Sequence, residues 1–208
     1  MKVGLEVITG FLGAGKSAFI NSYIEKTIIE NEKIVVITME NGNVKIQKQN
    51  KNVNIININK ECCDLVENIL LAIEKYSPNR IIIEVNGTEN LEQLYKWILS
   101  KEISKVCKLY TSYYICDGYT IEFFIKNMGE LLIPYIENCD VIIISNSREV
   151  NEDATARIKL LLESINNKAH ILSSINNNFN TTLDNSGLLE KSYVRKFRVS
   201  TMNYISKI

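Results

Sequence analysis

The run Val7-Ile8-Thr9-Gly10-Phe11-Leu12-Gly13-Ala14-Gly15-Lys16-Ser17 decides how this chain is read. Its last eight residues fit G-x-x-x-x-G-K-[S/T]. An apolar run, Val3–Ile8, leads into it, and an amphipathic stretch beginning at Lys16 follows. That strand–loop–helix setting is the one the motif requires. Glycines let the backbone turn so that successive N–H groups face a phosphate, and the helix that opens at Lys16 adds the partial positive charge of its N-terminus. Gly10, Gly13, Ala14, Gly15, Lys16, Ser17 and Ala18 are therefore the expected nucleotide-contacting residues. Lys16 would reach the β- and γ-phosphates, and the Ser17 hydroxyl would ligate Mg²⁺. The structural alternative is a Gly-rich turn with an incidental Lys-Ser.

Outward from this loop, apolar runs alternate with helical patterns. Strands are expected at Val3–Ile8, Lys33–Thr38, Val53–Ile58, Arg80–Val85, Leu109–Cys116, Asp140–Ser145 and Ala169–Leu172. Near-continuous runs such as Ile81–Ile83 and Val141–Ile144 mark strands covered on both faces, as in a parallel sheet. Apolar residues three and four apart predict helices over Lys16–Asn31, Glu61–Tyr76 and Asp153–Asn166. The alternation implies right-handed crossovers and an α/β fold of three layers, a mostly parallel central sheet flanked by helices, of the P-loop NTPase kind. Residues 1–208 read as a single nucleotide-binding domain. Asn176–Asn185 reads as a surface loop, Val194–Ser200 as a last edge strand, and 176–208 together as loop plus short C-terminal tail.

Ligands of open α/β sheets bind beyond the carboxyl ends of the strands. Two such ends carry an acid: Val35-Val36-Ile37-Thr38-Met39-Glu40-Asn41-Gly42 and Ile81-Ile82-Ile83-Glu84-Val85-Asn86-Gly87. A hard Mg²⁺ takes one or two carboxylates with phosphate oxygens. Glu40 and Glu84 are thus candidates for Mg²⁺ and, with Lys16, for catalysis; the alternative is a solvated strand-end acid. Gly87 would let its loop approach the γ-phosphate.

Lys plus Arg, 24, balance Asp plus Glu, 24, in 208 residues that are 46% hydrophobic. This composition describes a globular chain and argues against nucleic-acid or polybasic membrane partners. No apolar run approaches the roughly 20 residues of a membrane helix, and Met1–Ser17 does not read as a signal peptide. Five cysteines, an odd number without an export signal, are expected as reduced thiols in a cytoplasmic protein. Cys107, Cys116 and Cys139 are too dispersed for a metal site, so burial is the default. His170, the one histidine, is expected partly buried in a structural role, and Trp97 in core or interface packing. The acid-free stretch Asn41–Lys60, with Lys45, Lys48 and Lys51, reads as a solvated loop or a basic switch segment.

Together these residues resemble the GTPase domain of the CobW-type metallochaperones, relatives of the hydrogenase and urease nickel-insertion GTPases, over about residues 1–172. Val7–Ser17 is similar to that family's phosphate loop, with Phe11-Leu12-Gly13 more specific than the bare motif. Ile37–Gly42 is similar to its Asn-Glu-x-Gly segment, with Met39 in place of Asn, and Ile83–Gly87 to its Glu-x-x-Gly segment. Tyr114-Ile115-Cys116-Asp117 resembles the later strand ending in Val-Asp, and Cys139-Asp140-Val141 the start of the guanine-motif strand. The resemblance implies GTP or ATP with Mg²⁺ and slow hydrolysis coupled to metal delivery or metallocofactor assembly. It further implies a metalloprotein client, a larger homologous subunit or a homodimer as partner. The usual C-terminal domain would be absent or reduced to a tail.

Two departures bear on that reading. The family's Cys-x-Cys-Cys metal motif becomes Lys60-Glu61-Cys62-Cys63. Cys62 and Cys63 still suit a soft ion such as Zn²⁺ or another transition metal, although a closed site wants about four ligands; the alternative is two small thiols capping a helix. The guanine-reading Asn-Lys-x-Asp becomes Ser145-Asn146-Ser147-Arg148, where Arg148 is donor-only. Asn146 or Ser147 could contact the base, Glu149 could replace the carboxylate if the loop is shifted by one, and ATP or loose specificity stays open. A nucleotide-binding regulatory module with little hydrolysis, and a small-molecule kinase whose acceptor pocket the sequence does not locate, are the competing functions.

Overall fold

The computed structural model describes residues 1–39, 45–47, 51–58, 65–87, 89–146, 152–187 and 199–202. Seven parallel strands form one sheet: β1 Val3–Gly10, β2 Ile34–Thr38, β3 Val53–Asn57, β4 Arg80–Glu84, β5 Cys107–Asp117, β6 Val141–Ser145 and β7 His170–Ser173. Their order across the sheet is β3-β2-β4-β1-β5-β6-β7. β1 is thus central, paired with β4 from Gly4↔Arg80 and with β5 from Val3↔Cys107. All eight of its residues are buried. The expected α/β architecture is present, and the seven strands expected between Val3 and Leu172 are each found within a few residues of their expected ends.

Successive strand residues point to opposite faces, and this sorts the core in two. Val35, Ile37, Ile81, Ile83, Tyr114, Cys116, Ile142 and Ile144 face one side, where they meet the helices α2 Leu65–Tyr76, α3 Leu91–Ile98, α4 Lys101–Val106, α5 Ile121–Glu137 and α6 Glu152–Ile165. Ile34, Val36, Ile82, Tyr113, Ile115, Val141 and Ile143 face the other, where α1 Lys16–Thr27 lies. One twelve-residue helix cannot cover seven strands. The remainder is supplied by α7, Phe179–Asp184, which packs beside α1 and buries Phe179 and Leu183.

The Asn176–Asn185 segment is therefore not a surface loop. It is a 3₁₀ turn, Ile175–Asn177, followed by α7, whose Asn178 side chain caps it by accepting from the Thr181 N–H at 3.3 Å. The expected edge strand is corrected as well: residues 199–202 are helical, and the remainder of Val194–Ser200 lies outside the described residues. His170 is exposed rather than partly buried, because it opens β7, the short strand at the edge of the sheet. Trp97 packs half-buried against the five-helix core, as expected. α5 is interrupted at Met128, whose φ of −136° is not helical, one residue before Gly129.

Candidate functional site

The loop between β1 and α1 is held by contacts that explain its residue types. Gly10 has φ 144°, and a Cβ there would lie 2.1 Å from the Ile115 carbonyl oxygen. No L side chain fits beside β5 in that conformation. Gly15, at φ 98°, occupies the N-cap of α1, and a Cβ on it would come within 3.3 Å of the Phe179 ring. α7 thereby buttresses the loop from behind, a role the sequence reading missed. The visible signal was the Phe179/Leu183 pair, four apart.

Lys16 is buried at the first turn of α1, and its Nζ donates to the carbonyls of Gly10 at 2.8 Å and Phe11 at 3.0 Å. The ammonium thus sits inside the curl of the loop. Ser17 follows on the next position, and its hydroxyl donates to Glu84 Oε1 at 2.7 Å. Glu84 ends β4 and is only 3% exposed. The structure therefore brings together two residues separated by 67 positions that the sequence singled out independently. Just beyond, the Gly87 N–H donates to the Gly10 carbonyl at 2.9 Å, and a Cβ on Gly87 would be 3.0 Å from the Gly10 carbonyl carbon. The loop after β4 thus rests directly on the phosphate loop, and only a glycine permits that approach. Hydroxyl and carboxylate are hard oxygen donors of the kind Mg²⁺ takes, so Ser17 and Glu84 fit that ion.

On the other flank, Asp117 ends β5 and Asn146 directly follows the adjacent strand β6. A recess of about 310 Å³ opens beside the phosphate loop, walled by Phe11 to Ala14, Asp117, Tyr119 and Phe124. Phe11 and Phe124 stack there with ring centroids 4.3 Å apart.

Glu40, Lys60, Cys62, Cys63, Ser147, Arg148 and Glu149 lie outside the described residues. Among the described residues no group of three or more His, Cys, Asp and Glu side chains could hold a metal ion. Cys107, Cys116 and Cys139 are buried thiols. Burial pushes Cys107 up to about 11 and Cys139 to about 12, and raises Cys116 further still. A thiol is nucleophilic only as thiolate. These three should therefore stay unmodified by iodoacetamide at pH 8 in the folded protein and react after denaturation. Peptide mass mapping checks this; rapid native labelling of Cys116 would contradict it.

A network distant from the loop anchors α1. The Arg80 guanidinium pairs with Glu6 at 3.1 Å and Glu32 at 3.3 Å, and donates to Thr27 Oγ1 at 3.2 Å. The Tyr23 hydroxyl donates to Glu6 at 3.1 Å and accepts from Tyr113 at 3.0 Å. Arg80, Glu6 and Glu32 are all buried. Burial pulls the Arg80 pKa down, but Glu6 and Glu32 outweigh it and the net shift is upward.

A parallel sheet with a phosphate loop after its central strand, and an acid at the end of the neighbouring strand, defines the chain as a P-loop NTPase-like α/β protein. It belongs to the CobW/HypB/UreG nucleotide-binding domain family, whose model matches residues 5–173. Solved structures agree on the fold. The Zn(II)-bound YjiA GTPase from E. coli is similar at a TM-score of 0.64 and 19% identity, covering 82% of this chain and 57% of that one. HypB from Helicobacter pylori in complex with nickel gives 0.61 and 15%, over 92% and 88%. The hydrogenase maturation factor HypB from Archaeoglobus fulgidus gives 0.58 and 17%, over 95% and 90%. The chain thus spans little more than half the length of YjiA. No helix among the described residues is long and apolar enough to cross a membrane.

Proposed function

We propose that the chain is a single-domain, cytoplasmic P-loop nucleotide-binding protein that takes GTP or ATP with Mg²⁺ at Gly10–Ala18 and hydrolyses it slowly. Nucleotide state would be coupled to metal delivery or metallocofactor assembly. The observation that carries this reading is the 2.7 Å contact between Ser17 and Glu84 at the mouth of the phosphate loop. Mg²⁺ held by these two residues would neutralise charge developing on the phosphates. The loop amides hold the oligophosphate, Lys16 compensates its β and γ charge, and Glu84, with Glu40, orients the attacking water. The Gly87 N–H, already seated against Gly10, holds the loop after β4 near the terminal phosphate.

The zinc-bound YjiA and nickel-bound HypB relatives support a transition-metal cargo, with Cys62 and Cys63 as its contacts in this chain. A metalloprotein client, a larger homologous subunit or a second copy would receive it. Melting temperatures with Mg·GTP and Mg·ATP, alongside phosphate release, test the reading. Glu84→Gln should lower phosphate release about 100-fold. A thermal shift with release at background in the wild type would leave a regulatory or assembly module, the alternative that the altered Lys60 and Arg148 positions favour. No shift with either nucleotide would end the reading.

A further inference from the structure

At the ends of β5 and β6, Asn146 Nδ2 donates to Asp117 Oδ2 at 2.6 Å. Asp117 Oδ1 accepts from the Tyr119 backbone N–H at 2.8 Å, and the Gly118 N–H donates to the Ser145 carbonyl at 3.0 Å. The pair is therefore fixed from both side chain and backbone. Asn146 adopts φ 54°, a left-handed conformation that asparagine tolerates. β5 separates β6 from β1, so Asn146 stands two strand spacings, about 10 Å, along the sheet from the phosphate loop. That span is comparable with the reach of a nucleotide from its phosphates to its base. On the opposite side of β1 the space is taken by the loop after β4, which rests on Gly10.

A carboxylate can only accept. The Asn146 amide must therefore turn its nitrogen toward Asp117, which settles an orientation that geometry alone leaves open. One N–H is spent, and among the described residues Oδ1 with the second N–H remains as an acceptor–donor edge.

We propose that Asp117 is a positioning residue for base recognition: it locks the Asn146 amide so that the base is read by a neutral acceptor–donor edge. This rests on the nucleotide-binding reading above. Such an edge complements a base with a donor beside an acceptor, as in the 6-amino group and ring nitrogen of adenine or N1–H and O6 of guanine.

Asp117→Asn keeps the shape but can donate as well as accept, so the Asn146 amide is released to turn over. Dissociation constants for Mg·GTP, Mg·ATP and the base-free tripolyphosphate are measured on wild type, D117N and N146A. The affinity of each nucleotide relative to tripolyphosphate should fall by about fivefold in D117N, the size of one net hydrogen bond. N146A should reach the same ratio, with tripolyphosphate within about twofold of wild type in both. An unchanged ratio, or equal weakening of all three ligands, overturns the proposal. If D117N does not fold, N146A carries the same expectation and the same refutation. Wild-type protein that binds tripolyphosphate and both nucleotides while N146A keeps the ratio refutes this inference and leaves the nucleotide reading standing. Binding of none of the three overturns the nucleotide reading and this inference with it.

Discussion

Lys16→Ala is expected to abolish the nucleotide-dependent rise in melting temperature. At a ligand concentration a thousand times Kd, binding adds about 4 kcal/mol to the stability of the folded state. In a domain of this size that corresponds to a rise of about 8–16 °C. Lys16 enters the loop from the first turn of α1 and donates to the Gly10 and Phe11 carbonyls. Its ammonium is the charge that a β- or γ-phosphate would meet, in a buried setting where charge interactions are weakly screened. The variant also loses two hydrogen bonds, at about 1 kcal/mol each. Its unliganded melting temperature therefore serves as its own baseline. A full ligand-induced rise in Lys16→Ala would remove the basis for placing phosphates in this loop.

Arg80→Met should cost about 3–5 kcal/mol in urea or thermal unfolding. Arg80 is 3% exposed, Glu6 6% and Glu32 1%. Removing the guanidinium leaves two carboxylates in the interior without their compensating charge. Adding Glu6→Gln and Glu32→Gln to Arg80→Met should recover part of the loss, because neutral amides are cheaper to bury. A loss below 1 kcal/mol at pH 7 would mean that the network contributes little. Because Thr27 and Tyr23 belong to α1, the same variant should loosen that helix, and hydrogen exchange of its amides would report it.

The sheet was readable because buried parallel strands leave unbroken apolar runs, and Ile81–Ile83 and Val141–Ile144 are such runs. The phosphate loop was readable because its backbone geometry admits few residue types. What escaped has identifiable causes. In α7, Asn176, Asn177, Asn178, Asn180 and Asn185 carry the composition of a turn, and only Phe179 and Leu183 betray the buried face. α5 breaks its own period at Met128 and holds Gly129 and Pro134, so no clean helical spacing emerges. Glu6 inside the first strand and Arg80 at the start of β4 show no relation along the chain until the fold brings them 3.1 Å apart. Ser17, Glu84 and Asn146 could be named singly, but their pairings cross 67 and 29 positions, and spacing along the chain does not encode those. The residues that would decide a soft-metal site, Cys62 and Cys63, lie outside the described part of the chain.

The central placement of β1 has a consequence for biogenesis. Gly4 waits for Arg80, and Val3 for Cys107, before either edge of the strand is satisfied. Ribosomes thus release a largely apolar segment well before the partners that will shield it, and ordering it closes loops of roughly a hundred residues. Through that interval the unpaired strand is open to aggregation, and the loop after it lacks its β5 flank until translation has passed that strand.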